Sequence, residues 1–146
     1  RQLARVREEL SALGQRGLFR VLLIHHPPLP QRMDFLRGLR DRNRLQKVLG
    51  EVGCELVLHG HEHRDLRGTI AGPLGAIPVI GVGSGTYDDP RLERRARYNI
   101  YTVERDARGW QLSVEQRVHS PERAAFVPWT PTLESRYSLA AASASA

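Results

Sequence analysis

The chain has one cysteine, Cys54, among 146 residues. An intramolecular disulfide is therefore excluded, and a lone thiol fits a reducing compartment such as the cytoplasm. Cys54 precedes the apolar run Leu56-Val57-Leu58 and reads as a small core residue rather than a nucleophile. No apolar stretch approaches the roughly 20 residues that a spanning helix needs, so no membrane span is expected in this segment. Aromatic residues make up only 6% of the chain. Tryptophan and tyrosine do not interleave with the arginines, which leaves no obvious stacking platform for single-stranded nucleic acid. Methionine occurs once, as Met33, and the sequence opens on Arg1 already in mid-pattern for a helix. The expectation is an excised segment, a cleavage product or the C-terminal portion of something longer. There is no internal repeat.

What is abundant is positive charge, with a formal net charge of +6. That balance favours anionic partners such as phosphate esters, nucleotides or nucleic acid. Arg37, Arg40, Arg42 and Arg44 read as a solvated basic surface. The alternative function class is a non-catalytic basic module that binds nucleic acid or a protein partner.

Apolar periodicity places the elements. Leu3, Val6, Leu10 and Leu13 predict a helix that Gly14 and Gly17 close. Residues 19–24, with Val21 to Ile24 consecutively apolar, predict a strand covered on both faces, as in a parallel sheet. A proline-rich loop follows. Leu45, Val48, Leu49 and Val52 predict a second helix, with Asp41 or Asn43 as cap and Gly53 as stop. Residues 55–59 predict the next strand, and the order strand, helix, strand is a βαβ unit. Pro78 places the strand over 77–82 near an edge, or starts it after that residue. Gly81-Val82-Gly83-Ser84-Gly85-Thr86 is a flexible turn without a Walker lysine, a weak candidate for cradling phosphate. Residues 99–104 and 110–118 predict a hairpin around Asp106-Ala107-Arg108-Gly109. From about Ser135 the chain lacks a core-forming pattern, and disorder is expected there.

Histidine carries the chemistry. His25 follows the first strand, in His25-His26-Pro27-Pro28, and Gly60-His61-Glu62-His63 follows the second. Ligands in open α/β sheets bind beyond the carboxyl ends of the strands, and neutral imidazole is the commonest protein metal ligand. At a strand end the i and i+2 side chains point the same way, so His61 and His63 are expected to face one cleft, with Gly60 letting the backbone turn sharply or approach a metal closely. His26 reads either as a substrate contact or donor to a carbonyl, or as a packed neighbour without chemistry. His59 reads as a satisfied strand histidine, and Glu62 as solvated. Arg64 reads as a surface ion pair with phosphate contact as the alternative. Asp88-Asp89-Pro90 reads as turn chemistry, and His119 as exposed.

His25-His26-Pro27 followed by Gly60-His61-Glu62-His63 resembles the late motifs of the calcineurin-like metallophosphoesterases. The flavour is that of their bacterial cyclic-nucleotide phosphodiesterase members, where His-His-Pro and a hairpin like Tyr98 to Val103 recur. The resemblance implies an α/β fold over residues 1–118, the C-terminal half of an αββα sandwich with a βαβ unit followed by antiparallel strands. Residues 119–146 would then be an extended, partly disordered tail. It further implies hydrolysis of a phosphomonoester or phosphodiester, small molecule or nucleotide, by a metal-bound hydroxide at two metal ions, Mn, Fe or Zn. His25 and His61 would ligate one metal and His63 the other, with His26 near substrate. The family's Asp-x-His, Gly-Asp and Gly-Asn-His motifs do not occur in these 146 residues. The implied partner is therefore a missing N-terminal half of the same domain, a homodimer being open, and this segment alone is expected to be inert.

Overall fold

The structure is a computed structural model that describes residues 1–30, 39–87, 89–129 and 135–141. Among these residues it is a mixed α/β fold of two helices and eight strands in two sheets. Arg37, Asp88 and the terminal run from 142 lie outside the described residues.

Helix α1 spans Gln2–Gln15 and helix α2 spans Arg42–Val52. Strands β1 (Val21–Ile24), β2 (Leu56–His59), β3 (Leu66–Gly72) and β4 (Gly75–Gly81) make the first sheet. Its order is β1-β2-β4-β3, with β1, β2 and β4 parallel and β3 antiparallel at the far edge. Strands β5 (Arg97–Asp106), β6 (Gly109–Ser120), β7 (Ala125–Trp129) and β8 (Arg136–Leu139) make the second. β5 pairs with β6 from Gly109 to Val118, while β7 and β8 pair with the two ends of β6.

The layers follow from two apolar clusters. Leu10, Leu45, Leu49, Cys54, Val57, Ile70, Ile77 and Val79 lie between the helices and the first sheet. Leu56, Ile80, Leu112 and Val114 lie between the two sheets. The arrangement is helices, sheet, sheet. Leu49, Val57 and Val79 are fully buried, each worth roughly 1.5–3 kcal/mol against exposure. The expected βαβ unit is present as β1, α2 and β2, and Gly53 ends α2 at a φ of 72°.

A buried ion pair ties these layers at one end. Arg20 donates from its backbone N–H and Nε to Glu55 Oε2 at 2.6 and 2.9 Å. Its Nη2 reaches Glu55 Oε1 at 2.8 Å, and its Nη1 reaches the Leu10 and Val52 carbonyls at 3.1 and 2.9 Å. One side chain thus joins both helices to the start of β2. The hydrogen bonds to Glu55 hold the Arg20 guanidinium above its ordinary pKa, against the opposing effect of burial.

Three expectations are corrected. β1 is not covered on both faces: Leu22 and Ile24 pack on the helical core, but Val21 is 43% and Leu23 72% exposed. The apolar cluster between the two sheets takes Leu56 and Ile80 from β2 and β4 and no residue from β1, so this face of β1 is left open. β4 is not at an edge but lies between β2 and β3. Pro78 is tolerated because the parallel ladder to β2 registers only from Val79 onward. Finally, residues 136–139 form β8, because β6 offers them an unpaired edge.

Candidate metal centre

The strand register assembles the site. β1 and β2 pair with Ile24 opposite His59, so the chain leaves both strands at the same level. Gly60 then donates its backbone N–H to the His25 carbonyl at 3.2 Å, which pins the two loops together. Glu62 N–H closes a tight turn on the Gly60 carbonyl at 2.9 Å. On the other side Pro27 and Pro28 are buried, and Gln46 of α2 donates to the Pro28 carbonyl at 2.7 Å. Proline fixes its own φ and restricts the residue before it. The His25-His26 turn is therefore held from both ends.

Strand alternation does not extend into the His61-His63 loop. β2 ends at His59, and the residues with positive φ are the histidines themselves, His61 at 69° and His63 at 51°. Gly60 is not the left-handed residue. Left-handed backbone on a non-glycine costs on the order of 1–3 kcal/mol and tends to persist where the site needs it.

The turn sends the two imidazoles to different neighbours. His61 Nδ1 lies 3.1 Å from His25 Nε2, one of the two nitrogens carrying the shared proton. His26 joins them, with ring centroids 4.9 Å from His25 and 4.3 Å from His61. One ligand nitrogen from each of His25, His26 and His61 lies within 4.8 Å of the others. His63 stands outside this group, and its ring meets Tyr87 edge-on at 5.9 Å. Desolvation lowers the pKa of His26, helped by the imidazoles of His61 and His25.

The donor set is all imidazole, which suits Zn²⁺, Cu²⁺, Ni²⁺ or Co²⁺ better than oxygen-seeking Mg²⁺ or Mn²⁺. Among the described residues, carboxylates stand aside from it. Glu62 pairs with Arg64 at 3.8 Å, so the exposed Arg64 is a surface ion pair as expected. Asp65 pairs with Arg67 at 3.4 Å. Asp89 accepts from the Arg91 backbone at 2.8 Å and from its guanidinium at 2.7 and 2.9 Å. These bonds hold its carboxyl down at about 2.

The neighbouring elements frame the cluster. His59 is buried, as a satisfied strand histidine should be, with Nδ1 3.2 Å from the Gly60 oxygen. Burial lowers its pKa. The glycine-rich turn after β4 has Ser84 Oγ accepting the Thr86 N–H at 3.3 Å. His119 is half-buried rather than exposed, its ring 5.6 Å from that of Phe126. Cys54 is buried, with Sγ 3.7 Å from the Leu56 oxygen, and burial pushes its thiol up to about 12.

Sequence reasoning placed His26 beside the site without bringing it among the candidate ligands, and it did not single out Tyr87. Adjacent residues diverge on a strand, so only the turn after Ile24 can bring both rings of His25-His26 to one point. No protein-family model and no curated protein matches the chain. No helix among the described residues is long and apolar enough to cross a membrane.

Proposed function

We propose that this chain contributes histidine ligands to a dinuclear metallophosphoesterase centre. The observation that supports the reading is the convergence of His25 and His61, 3.1 Å apart, at the carboxyl ends of two parallel strands. In this reading His25 and His61 hold one cation and His63 the other, with His26 and Tyr87 beside the substrate. Cations held there would supply electrostatic stabilisation of a phosphoryl displacement. The carboxylate ligands come from a segment outside these residues, which would complete the αββα sandwich. The three described layers are compatible with half of such a fold, and the net charge of +6 favours an anionic ester.

The test begins with the coding sequence upstream of Arg1. Asp-x-His, Gly-Asp and Gly-Asn-His should occur there in that order. The product that contains them should hydrolyse bis(p-nitrophenyl) phosphate only with added divalent metal, and His61→Ala should abolish turnover. An authentic gene without those motifs, or turnover indifferent to His61, overturns the reading.

A further inference from the structure

The cluster brought together by the turns is not the set the phosphoesterase reading requires, because it includes His26 and leaves out His63. We propose that His25, His26 and His61 form a mononuclear, all-imidazole site for one divalent cation of the Zn²⁺, Co²⁺, Ni²⁺ or Cu²⁺ class. The site shares two residues with the dinuclear reading and departs from it at His26.

Distance carries the argument first. Zn–N bonds of about 2.0–2.1 Å in a tetrahedron set neighbouring ligand nitrogens about 3.3 Å apart. His61 Nδ1 and His25 Nε2 are 3.1 Å apart, already near that edge length. The third nitrogen, from His26, completes a group within 4.8 Å.

The rings also have room to aim at one point. His25 and His26 meet at 88°, and His25 and His61 at 75°. In each of these contacts one ring turns its edge to the other, while His26 and His61 tilt at 42° with centroids 4.3 Å apart, so the three rings lie in different planes around one small space. His25 is exposed, and His26 and His61 are half-buried. The three nitrogens therefore sit at the surface with an open side, a geometry of three protein ligands and one free position.

Preorganisation is the second argument. The Gly60 N–H on the His25 carbonyl fixes His61 relative to His25, and buried Pro27 and Pro28 fix the segment that bears His26. The conformational cost of gathering three ligands is thus met by the fold before any cation arrives. Left-handed φ at His61 turns its ring to the cluster. Among the described residues no carboxylate belongs to the group, so calcium and magnesium find there none of the oxygen donors they favour.

The test uses the purified 146-residue chain with metal alone. Co²⁺ titration should give one equivalent, with visible d–d absorption of a low-coordinate site, and Zn²⁺ should displace it. His26→Ala and the bulkier His26→Gln should each weaken Zn²⁺ binding by more than about 100-fold, beyond the 10–100-fold that loss of an outer-shell partner costs. His63→Ala should bind as the parent does. Circular dichroism of the metal-free variants reports folding. Histidine-selective NMR of the parent gives an assignment that needs no variant: Zn²⁺ should shift the His25, His26 and His61 imidazoles and leave His63 unmoved. Absence of stoichiometric binding, His26 resonances indifferent to Zn²⁺, or dependence on His63 in place of His26 overturns the proposal. Loss of the His26 dependence leaves the dinuclear reading standing, while absence of the upstream motifs sinks that reading and leaves this site untouched.

Discussion

His59 lies against Gly81: a Cβ built on that glycine would come 2.8 Å from Nε2 and 3.1 Å from Nδ1 of the imidazole. The two residues are register partners across β2 and β4. Glycine at 81 is therefore what lets a buried histidine close the strand just before the candidate centre. Gly81→Ala should cost about 1–3 kcal/mol, the usual penalty for overpacking. Urea unfolding with an unchanged m-value checks this. A stability equal to that of the parent would show that His59 turns aside without cost.

Arg20 and Glu55 are the second structural dependency. Their side chains are 4% and 3% exposed, and the guanidinium also satisfies the Leu10 and Val52 carbonyls. Removing one partner leaves a buried charge unpaired, which costs about 3–5 kcal/mol. Glu55→Gln and Arg20→Met should each fall in that range by chemical denaturation. The double variant should be less destabilised than the sum, because neither charge is then left alone. Additive losses would show that the two groups act independently.

How much of this was legible in the sequence depends on where the physical cause lay. Helices α1 and α2 and strands β1 and β2 follow from local periodicity, and the βαβ order follows from them. β3 was not foreseen. Leu66-Arg67-Gly68-Thr69-Ile70-Ala71-Gly72 has two glycines and little alternation, and it becomes a strand by pairing with β4 over its whole length. β7 contains Pro128, which only an edge tolerates, and β6 supplies that edge. The site divides likewise. That His25 and His61 would lie close follows from the parallel order of their strands. That His26 joins them while His63 turns to Tyr87 depends on backbone angles in two turns, and residue spacing does not encode those angles.

The two faces of β1 supply a contrast. Leu23 is 72% exposed, whereas Leu22 packs against the helical core. Leu23→Lys should change stability by no more than about 0.5 kcal/mol. Leu22→Ala should cost on the order of 1–2 kcal/mol, less than the 2–5 of a fully buried leucine. Thermal melts of both variants decide it, and a costly Leu23→Lys would mean that this face is covered in solution.

Cys54 gives a prediction in pH. Its thiol is raised from 9.0 to about 12 by burial, with the nearby Glu55 carboxylate adding to the effect and Arg20 opposing it. The folded state therefore keeps its proton where the unfolded state loses it. Stability from this group is fully present below about 9 and declines as pH rises from there through about 12. At pH 8 a thiol reagent such as Ellman's should react slowly with the native chain, and rapidly only after addition of denaturant. Fast reaction without unfolding would mean that the strand start near Glu55 opens on its own.

Zinc should stabilise the chain if the imidazole cluster binds it, because a ligand held only by the native state adds RT ln(1 + [L]/Kd). At a free Zn²⁺ concentration about 100 times Kd this amounts to about 2.7 kcal/mol, which for a domain of this size corresponds to a melting shift of several degrees. The shift should vanish in His25→Ala and His61→Ala and persist in His63→Ala. Acid should abolish it in the parent, since imidazole must be unprotonated to ligate. In the same preparations bis(p-nitrophenyl) phosphate should remain uncleaved, because a single cation on three imidazoles lacks the second metal of the dinuclear centre. Turnover by the purified chain, retained after rigorous exclusion of contaminants, would show that these residues already contain a working centre.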